Sequence, residues 1–208
     1  MSSSRASSAA TIKPMVASRP TLSTAVDLRE LADDVRAEII HGVIVHKASP
    51  SAEHGFSQGK FNQVLGRRFD RKTGGRWPGG WWIGSEIEIE YETHEVYLHD
   101  VVGWRRDRVP DLPTGRPVRA HPDWACELLS PSNQKTDSID KFQVLHTNRV
   151  PHYWIANPVE RTLVVYRWEP KGYLVALTAS AGDTVRAEPF DAVELRISSL
   201  FAGDEDDE

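Results

Sequence analysis

The stretch Trp124–Lys141, WACELLSPSNQKTDSIDK, decides how the rest of the chain reads. It begins as a short apolar strand carrying one inward carboxylate, Glu127. A Ser-Pro-Ser-Asn turn follows, and a helix then opens with Lys141 near its first turn. A carboxylate at the end of a buried strand is costly unless it is paired or holds a cation. Glu127 is therefore a candidate for chemistry. Cys126 alternates with it and belongs to the opposite, core-facing side. Ser130 and Ser132 read as turn formers and helix caps, because nothing supplies the base that a serine nucleophile needs.

Upstream, Glu95–Arg106, EVYLHDVVGWRR, is a second apolar strand, with Asp100 in its middle. If the two strands are neighbours, Asp100 and Glu127 converge at one end of a sheet. Two hard oxygen ligands with open positions suit Mg²⁺ or Mn²⁺ better than zinc. Lys141 on the following helix can stabilise developing negative charge. Together these residues are equipment for metal-assisted phosphodiester hydrolysis. Asp107 and Asp111, the latter in a literal Val-Pro-Asp, compete with Asp100, but lie in a segment with prolines at 110, 113, 117 and 122. Asp123 reads as an acid that holds a turn.

Further out, Thr24-Ala-Val-Asp27 has the spacing of a capping box, so a short helix runs to about Ala32. Ala37–Lys47 is a β-hairpin turning at His41-Gly42, with Glu38 on its first strand. Ser51 caps a long helix reaching about Asp70, with a stripe of Phe56, Phe61, Val64, Leu65 and Phe69. His54 in its first turn is a candidate substrate contact. Arg67 and Arg71 belong to a basic cluster at its far end, a DNA-contact candidate if it lies beside the acids. Glu86–Tyr91 alternates acid with apolar, as a strand with one solvated face does. Val109–Pro122 is irregular. The helix after the turn starts at Asp137 or Ser138 and carries Ile139, Phe142 and Leu145 on one face. A strand follows at His152–Ala156, then a hairpin of Thr162–Trp168 with Tyr173–Thr178, and short terminal strands at Val185–Ala187 and Val193–Ile197. Trp82, Trp104, Trp124 and Trp154 are assigned to packing. The predicted architecture is an α/β (α+β) domain: a mixed sheet flanked by helices, with hairpins in its N- and C-terminal parts.

Composition agrees with one globular domain of 208 residues, 39% hydrophobic and 26% charged. Residues 1–20 read as a disordered leader, with a superficial transit-peptide bias, 21–203 as the domain and 204–208 as an acidic tail. The single cysteine excludes an intrachain disulfide and any multi-cysteine zinc site, and fits a reducing, cytoplasmic setting. The net charge of −5 argues against non-specific coating of nucleic acid, and no run of about 18 apolar residues spans a membrane.

Several segments, in order, resemble the Uma-two family of the PD-(D/E)xK restriction-endonuclease-like superfamily. They are AEIIHG, SPSAEHG, VYLHDVVGW, HPDWACELLSPSNQKTDSIDK, VPHYWIANP and FDAVELRISSLF. The resemblance implies a three-layer nuclease core, divalent-metal dependence and DNA as substrate. It makes Asp100 the acid of the "PD" motif and Glu127 the acid of (D/E)xK, with Glu38 as an additional metal-side acid. Leu129 stands at the position of the motif lysine, so the lysine's part passes to Lys141. His99 stands where the family has Pro, Gln134 where it tends to have a basic residue, His146 where it has Tyr and Arg149 where it has Gly. The function expected is that of a Mg²⁺-dependent DNA endonuclease, plausibly a dimer. Two alternatives stand beside it: a nuclease-fold binding or regulatory protein without turnover, and a metal-dependent hydrolase of a small phosphorylated substrate.

Overall fold

The computed structural model describes residues 21–32, 34–130 and 140–201. The expected leader, Ser132, Gln134, Ile139, the helix start at Asp137 or Ser138 and the acidic tail lie outside these residues. Helix α1 (Ala25–Arg29) carries the capping box anticipated at Thr24 and Asp27, and closes short of Ala32. Strands β1 (Ala37–Ile40) and β2 (Val43–His46) form the expected hairpin. His41 (φ 51°) and Gly42 (φ 76°) supply the two left-handed residues of its turn.

Helix α2 (Ala52–Phe69) starts on the Ser51 hydroxyl, which accepts the His54 amide at 3.3 Å. Its buried stripe is His54, Ser57, Phe61, Val64, Leu65, Arg68 and Phe69. Phe56, expected on that stripe, is 67% exposed. It sits about 100° around the helix from Ser57, so the inward position belongs to the small residue.

The remaining strands are β3 (Trp81–Glu92), β4 (Glu95–Arg105), β5 (Trp124–Leu128), β6 (His152–Asn157), β7 (Thr162–Glu169) and β8 (Gly172–Ser180). Eight strands make one sheet in the order β2-β1-β4-β5-β6-β7-β8, with β3 also paired to β4. Among the named strands of the described residues β5 and β6 are the one parallel pair, and helix α3 (Lys141–Thr147) lies in the connection between them. Strands β9 (Thr184–Val185) and β10 (Leu195–Arg196) pair separately before a 3-10 turn at Ile197–Leu200. Within the Pro-rich segment Val118 is extended against β3, exchanging backbone bonds with Glu88 and Glu90.

A small core packs α1 against Ala37, Ile39 and Val96, and two large cores cover the two faces of the sheet. One packs α2 (Phe61, Leu65, Phe69) and Phe190 over Trp124 and Trp154. The other packs α3 (Val144, Leu145) over Tyr97, Trp104 and Tyr153. Side-chain alternation along β3 and β4 inverts once. Trp81 and Ile83 face α2, whereas Ile87, Ile89 and Tyr91 face the α3 side, although all five are odd-numbered. In β4, Val101 faces α2, while Tyr97 and Val102 face the α3 side. Both strands switch at the same level, where Glu86 (φ 54°) lies between the pairs Ser85↔Val101 and Ile87↔His99. The register is therefore kept on either side of Asp100, while the faces exchange there.

Helix α3 ends at a residue that departs from the resembled pattern. Arg149 has φ 56°, and the Val150 amide bonds back to the Leu145 carbonyl at 3.0 Å. A left-handed position at a helix C-terminus favours glycine. Replacing Arg149 by Gly should therefore raise stability by roughly 0.5 kcal/mol, less any contribution from its stacking on Trp168. A lower urea midpoint for R149G would contradict this account of the turn.

Candidate active site

The site occupies a break in the sheet. One edge of β4 is paired by β1 at Val96 and by β5 from Val101 to Gly103. Between these pairings neither neighbour supplies rungs, and side chains bond the backbone instead. The Leu98 amide donates to Glu38 Oε1 at 2.9 Å, and the Leu98 carbonyl accepts from Lys47 Nζ at 2.8 Å. On the far side of the break, the Leu128 amide donates to Asp100 Oδ2 at 2.8 Å. Polar side chains enter this part of the sheet because its backbone groups must be satisfied.

Three carboxylates and two ammoniums converge in the break. Lys141 Nζ lies 2.6 Å from Glu38 Oε1 and 3.1 Å from Glu127 Oε1. Lys47 Nζ lies 3.3 Å from Asp100 Oδ1, 3.7 Å from Glu127 Oε2 and 3.8 Å from Glu38 Oε1. Asp100, Glu127 and Lys141 are wholly buried, and Glu38 is nearly so. His54 Nε2 stands 3.5 Å from Asp100 Oδ1, too far for a well-formed hydrogen bond. The face exchange at Asp100 puts His99 on the side of Glu127, and its Nδ1 lies 2.5 Å from Glu127 Oε1. The other ring nitrogen lies 2.7 Å from the Tyr91 hydroxyl. Burial and the ammonium of Lys141 hold the His99 imidazole well below its ordinary range, so it stays neutral. Burial pushes the Tyr91 hydroxyl well up, so it keeps its proton. A neutral ring beside a carboxylate donates from Nδ1 to Glu127 and accepts at Nε2 from Tyr91.

Three acids against two ammoniums leave one negative charge in excess, and Glu127 carries the conflict. Burial pushes its carboxyl up to about 7, an effect that Lys141 and Lys47 only partly offset. Burial also opposes ionisation of Glu38 and Asp100. There the lysines win, and both carboxyls are lowered. Lys47, despite its burial, is held up at about 12 by the acids around it.

The sign of the resulting pH dependence follows. Glu127 binds its proton more tightly folded than unfolded. Its contribution to stability is complete below 4.5, its ordinary value, and is lost as pH rises through about 7. Asp100 and Glu38 act oppositely, and their contributions are lost as pH falls below the ordinary carboxylate range. Without metal, stability should fall by roughly 1–3 kcal/mol between pH 5 and pH 8. Chemical denaturation across that range checks the sign. A rising profile, or one that E127Q leaves unaltered, would remove Glu127 as its source.

A cavity of about 100 Å³ opens beside the cluster, lined by Glu38, Lys47, His54 and Ser130 among others. Within the cluster behind it, Glu127 Oε2 is buried and has no hydrogen-bond partner among the described residues. Asp100 Oδ1 and Glu127 Oε2 are hard donors of the kind Mg²⁺ takes, one or two protein carboxylates at a time, with water and phosphate oxygens completing the shell. Among the described residues no three His, Cys, Asp or Glu side chains form a ready ligand group. The fit is thus to an ion held by two acids rather than to an all-protein cage.

Asp100, Glu127, Lys141, Glu38 and His54, the residues singled out in the sequence, come together here. Arg67 and Arg71 do not join them. They lie at the other end of α2, with Arg67 about 20 Å along the helix from His54. Asp107 is exposed and paired with Arg105 at 2.9 Å. Asp123 bonds the Arg105 amide and the Arg108 guanidinium, a turn-holding role. Lys47 went unnoticed in the sequence. Part of its signal was available, because Glu38 pairs with Val45 and Lys47, two residues further on, projects from the same face. His99 was visible only as a departure from the resembled pattern.

The mixed sheet flanked by helices that carries this cluster matches a nuclease-like fold. A solved structure described as "a putative nuclease belonging to DUF820", from Anabaena variabilis ATCC 29413, superposes with a TM-score of 0.63. It is 21% identical and covers 86% of this chain and 97% of its own. Residues 25–198 match the model of the Uma2 family, described as "Putative restriction endonuclease", and the chain belongs to that family. No curated protein matches it. No helix among the described residues is long and apolar enough to cross a membrane.

Proposed function

We propose that the chain is a divalent-metal-dependent endonuclease that hydrolyses phosphodiester bonds of DNA. The observation that carries this reading is the convergence of Asp100 Oδ1 and Glu127 Oε2 on one cationic point, Lys47 Nζ, beside a cleft. Asp100 and Glu127 would hold Mg²⁺ or Mn²⁺. The ion supplies Lewis-acid polarisation of the phosphate and a more acidic water. Lys141, fixed by Glu38, presents positive charge to the developing oxyanion. Glu38 acts by placing that lysine, and His99 holds Glu127 Oε1 so that Oε2 stays open. The charges also balance. With a divalent ion and one phosphodiester bound, the three ionised acids and two lysines reach neutrality.

Arg67 and Arg71 remain candidates for contacts to a duplex remote from the cut, and two copies would suit a two-strand cut. A hydrolase of a small phosphorylated substrate is disfavoured. The cavity of about 100 Å³ is well below the roughly 300 Å³ at which small-molecule pockets begin. A binding protein without turnover is favoured by one observation, that Lys47 fills the space between the acids. A supercoiled-plasmid nicking assay in Mg²⁺ or Mn²⁺ separates the readings. Cleavage that chelation stops is expected, and intact plasmid with both ions would leave the binding reading.

A further inference from the structure

Lys47 stands where a cation is wanted, and it is loosely held there. Its one short bond is to the Leu98 carbonyl at 2.8 Å. Its separations from the three acids, 3.3 to 3.8 Å, all exceed the 2.7–2.9 Å of a well-made ammonium–carboxylate bond. Lys141 is tied more closely, at 2.6 and 3.1 Å. On Asp100 and Glu127 the oxygen nearest Lys47 is the one that the other close contacts leave over, whereas Glu38 Oε1, on its most distant acid, is already held by Lys141 and the Leu98 amide. Asp100 Oδ2 is taken by the Leu128 amide, and Glu127 Oε1 by His99 and Lys141. Lys47 thus occupies the position that two hard oxygens and a backbone carbonyl prepare. It follows directly on β2 and lines the cleft with His46, Ser49 and Ser130, so its flexible stem has somewhere to go.

Resting on the proposed function, we infer that Lys47 is a place-holding cation. Its ammonium fills the metal position in the metal-free protein, yields to the divalent ion, and moves into the cleft, where it meets the anionic phosphate of the substrate. The exchange makes physical sense at both ends. Without Lys47 the three acids would face one ammonium, and the unpaired buried charge would cost stability or be relieved by protonation. With the ion present, the ammonium is repelled by a double positive charge and attracted by a phosphate. The site is then locked against substrate until metal arrives.

The test is amine footprinting of the full chain by acetylation and mass spectrometry, in chelator and in saturating Mn²⁺, beside calorimetric titration of Mn²⁺. Lys47 should be protected in chelator and label at least about tenfold faster with metal, while Lys141 stays protected in both. K47Q should bind Mn²⁺ about tenfold more tightly, because the competing charge is gone. If calorimetry records metal binding while Lys47 stays as protected as Lys141, the place-holding role is wrong and the metal site stands. If neither the natural protein nor K47Q binds Mn²⁺, the proposed function fails and takes this inference with it.

Discussion

Replacing Glu127 by glutamine is expected to end metal-dependent nicking while making the metal-free protein firmer above pH 7. The loss should be roughly 10³-fold or more, the scale of several kcal/mol of metal-borne transition-state stabilisation. The stability gain has a separate origin. Glu127 is the surplus acid of the cluster, and burial drives its carboxyl up to about 7. Glutamine keeps its shape, and its amide oxygen still accepts from His99 and Lys141, but it carries no charge to desolvate. A gain of about 1–2 kcal/mol at pH 8 is reasonable. Asp100→Asn should match it in lost activity and oppose it in stability. The fold lowers the Asp100 carboxyl, overcoming burial through Lys47 and His54, so the folded state favours its ionised form. Nicking rates and denaturation midpoints for both variants give four signs to check. Residual nicking by E127Q at one-tenth of the natural rate would sink the assignment of Glu127 to the metal.

Lys141→Met should destabilise the protein by about 3–5 kcal/mol, the scale set by removing one partner of a buried ion pair. For a chain of this length that lowers the melting temperature by roughly 10 °C. Lys141 is wholly buried, lies against Glu38 and Glu127, and sits 5.6 Å over the Tyr97 ring. Methionine replaces the stem but leaves Glu38 with the Leu98 amide and, as its counter-charge among the described residues, the more distant Lys47, at 3.8 Å. The double variant K141M/E38Q should recover more than about 1 kcal/mol, since it removes the stranded charge along with its partner. A melting temperature within 2 °C of the natural protein for K141M would mean that the ammonium is solvated rather than paired.

How much of this was legible beforehand depended on how local each signal was. The Ser51 cap, the His41-Gly42 turn and the alternation of Glu86–Tyr91 are properties of a few adjacent residues, and they stand as read. Asp100 and Glu127 were conspicuous because each interrupts an apolar strand. Lys141 was picked out with them by its place on the next helix, whereas Glu38 needed the family resemblance, since a hairpin glutamate is an ordinary surface residue by pattern alone. Lys47 was passed over because the hairpin register gives its face but not its burial, which comes from acids on β4 and β5, distant in sequence. The placement of His99 depends on the face exchange at Glu86, where a non-glycine residue takes a positive φ that period-two reasoning does not anticipate. Phe56 misled because an apolar residue one position off the stripe looks like part of it.

The break in the β4 edge bears on when activity can arise during folding. Its rungs are replaced by contacts such as Glu38 to Leu98, 60 residues apart, and Lys47 to Asp100, 53 apart. Closing such loops costs entropy before any contact compensates, so these bonds belong to the late part of the folding reaction. Until β1, β4, β5 and α3 have all docked, the five charges remain separate and hydrated. A nascent or damaged chain therefore has no half-built site, and the cluster of acids and lysines exists only in molecules that have finished folding.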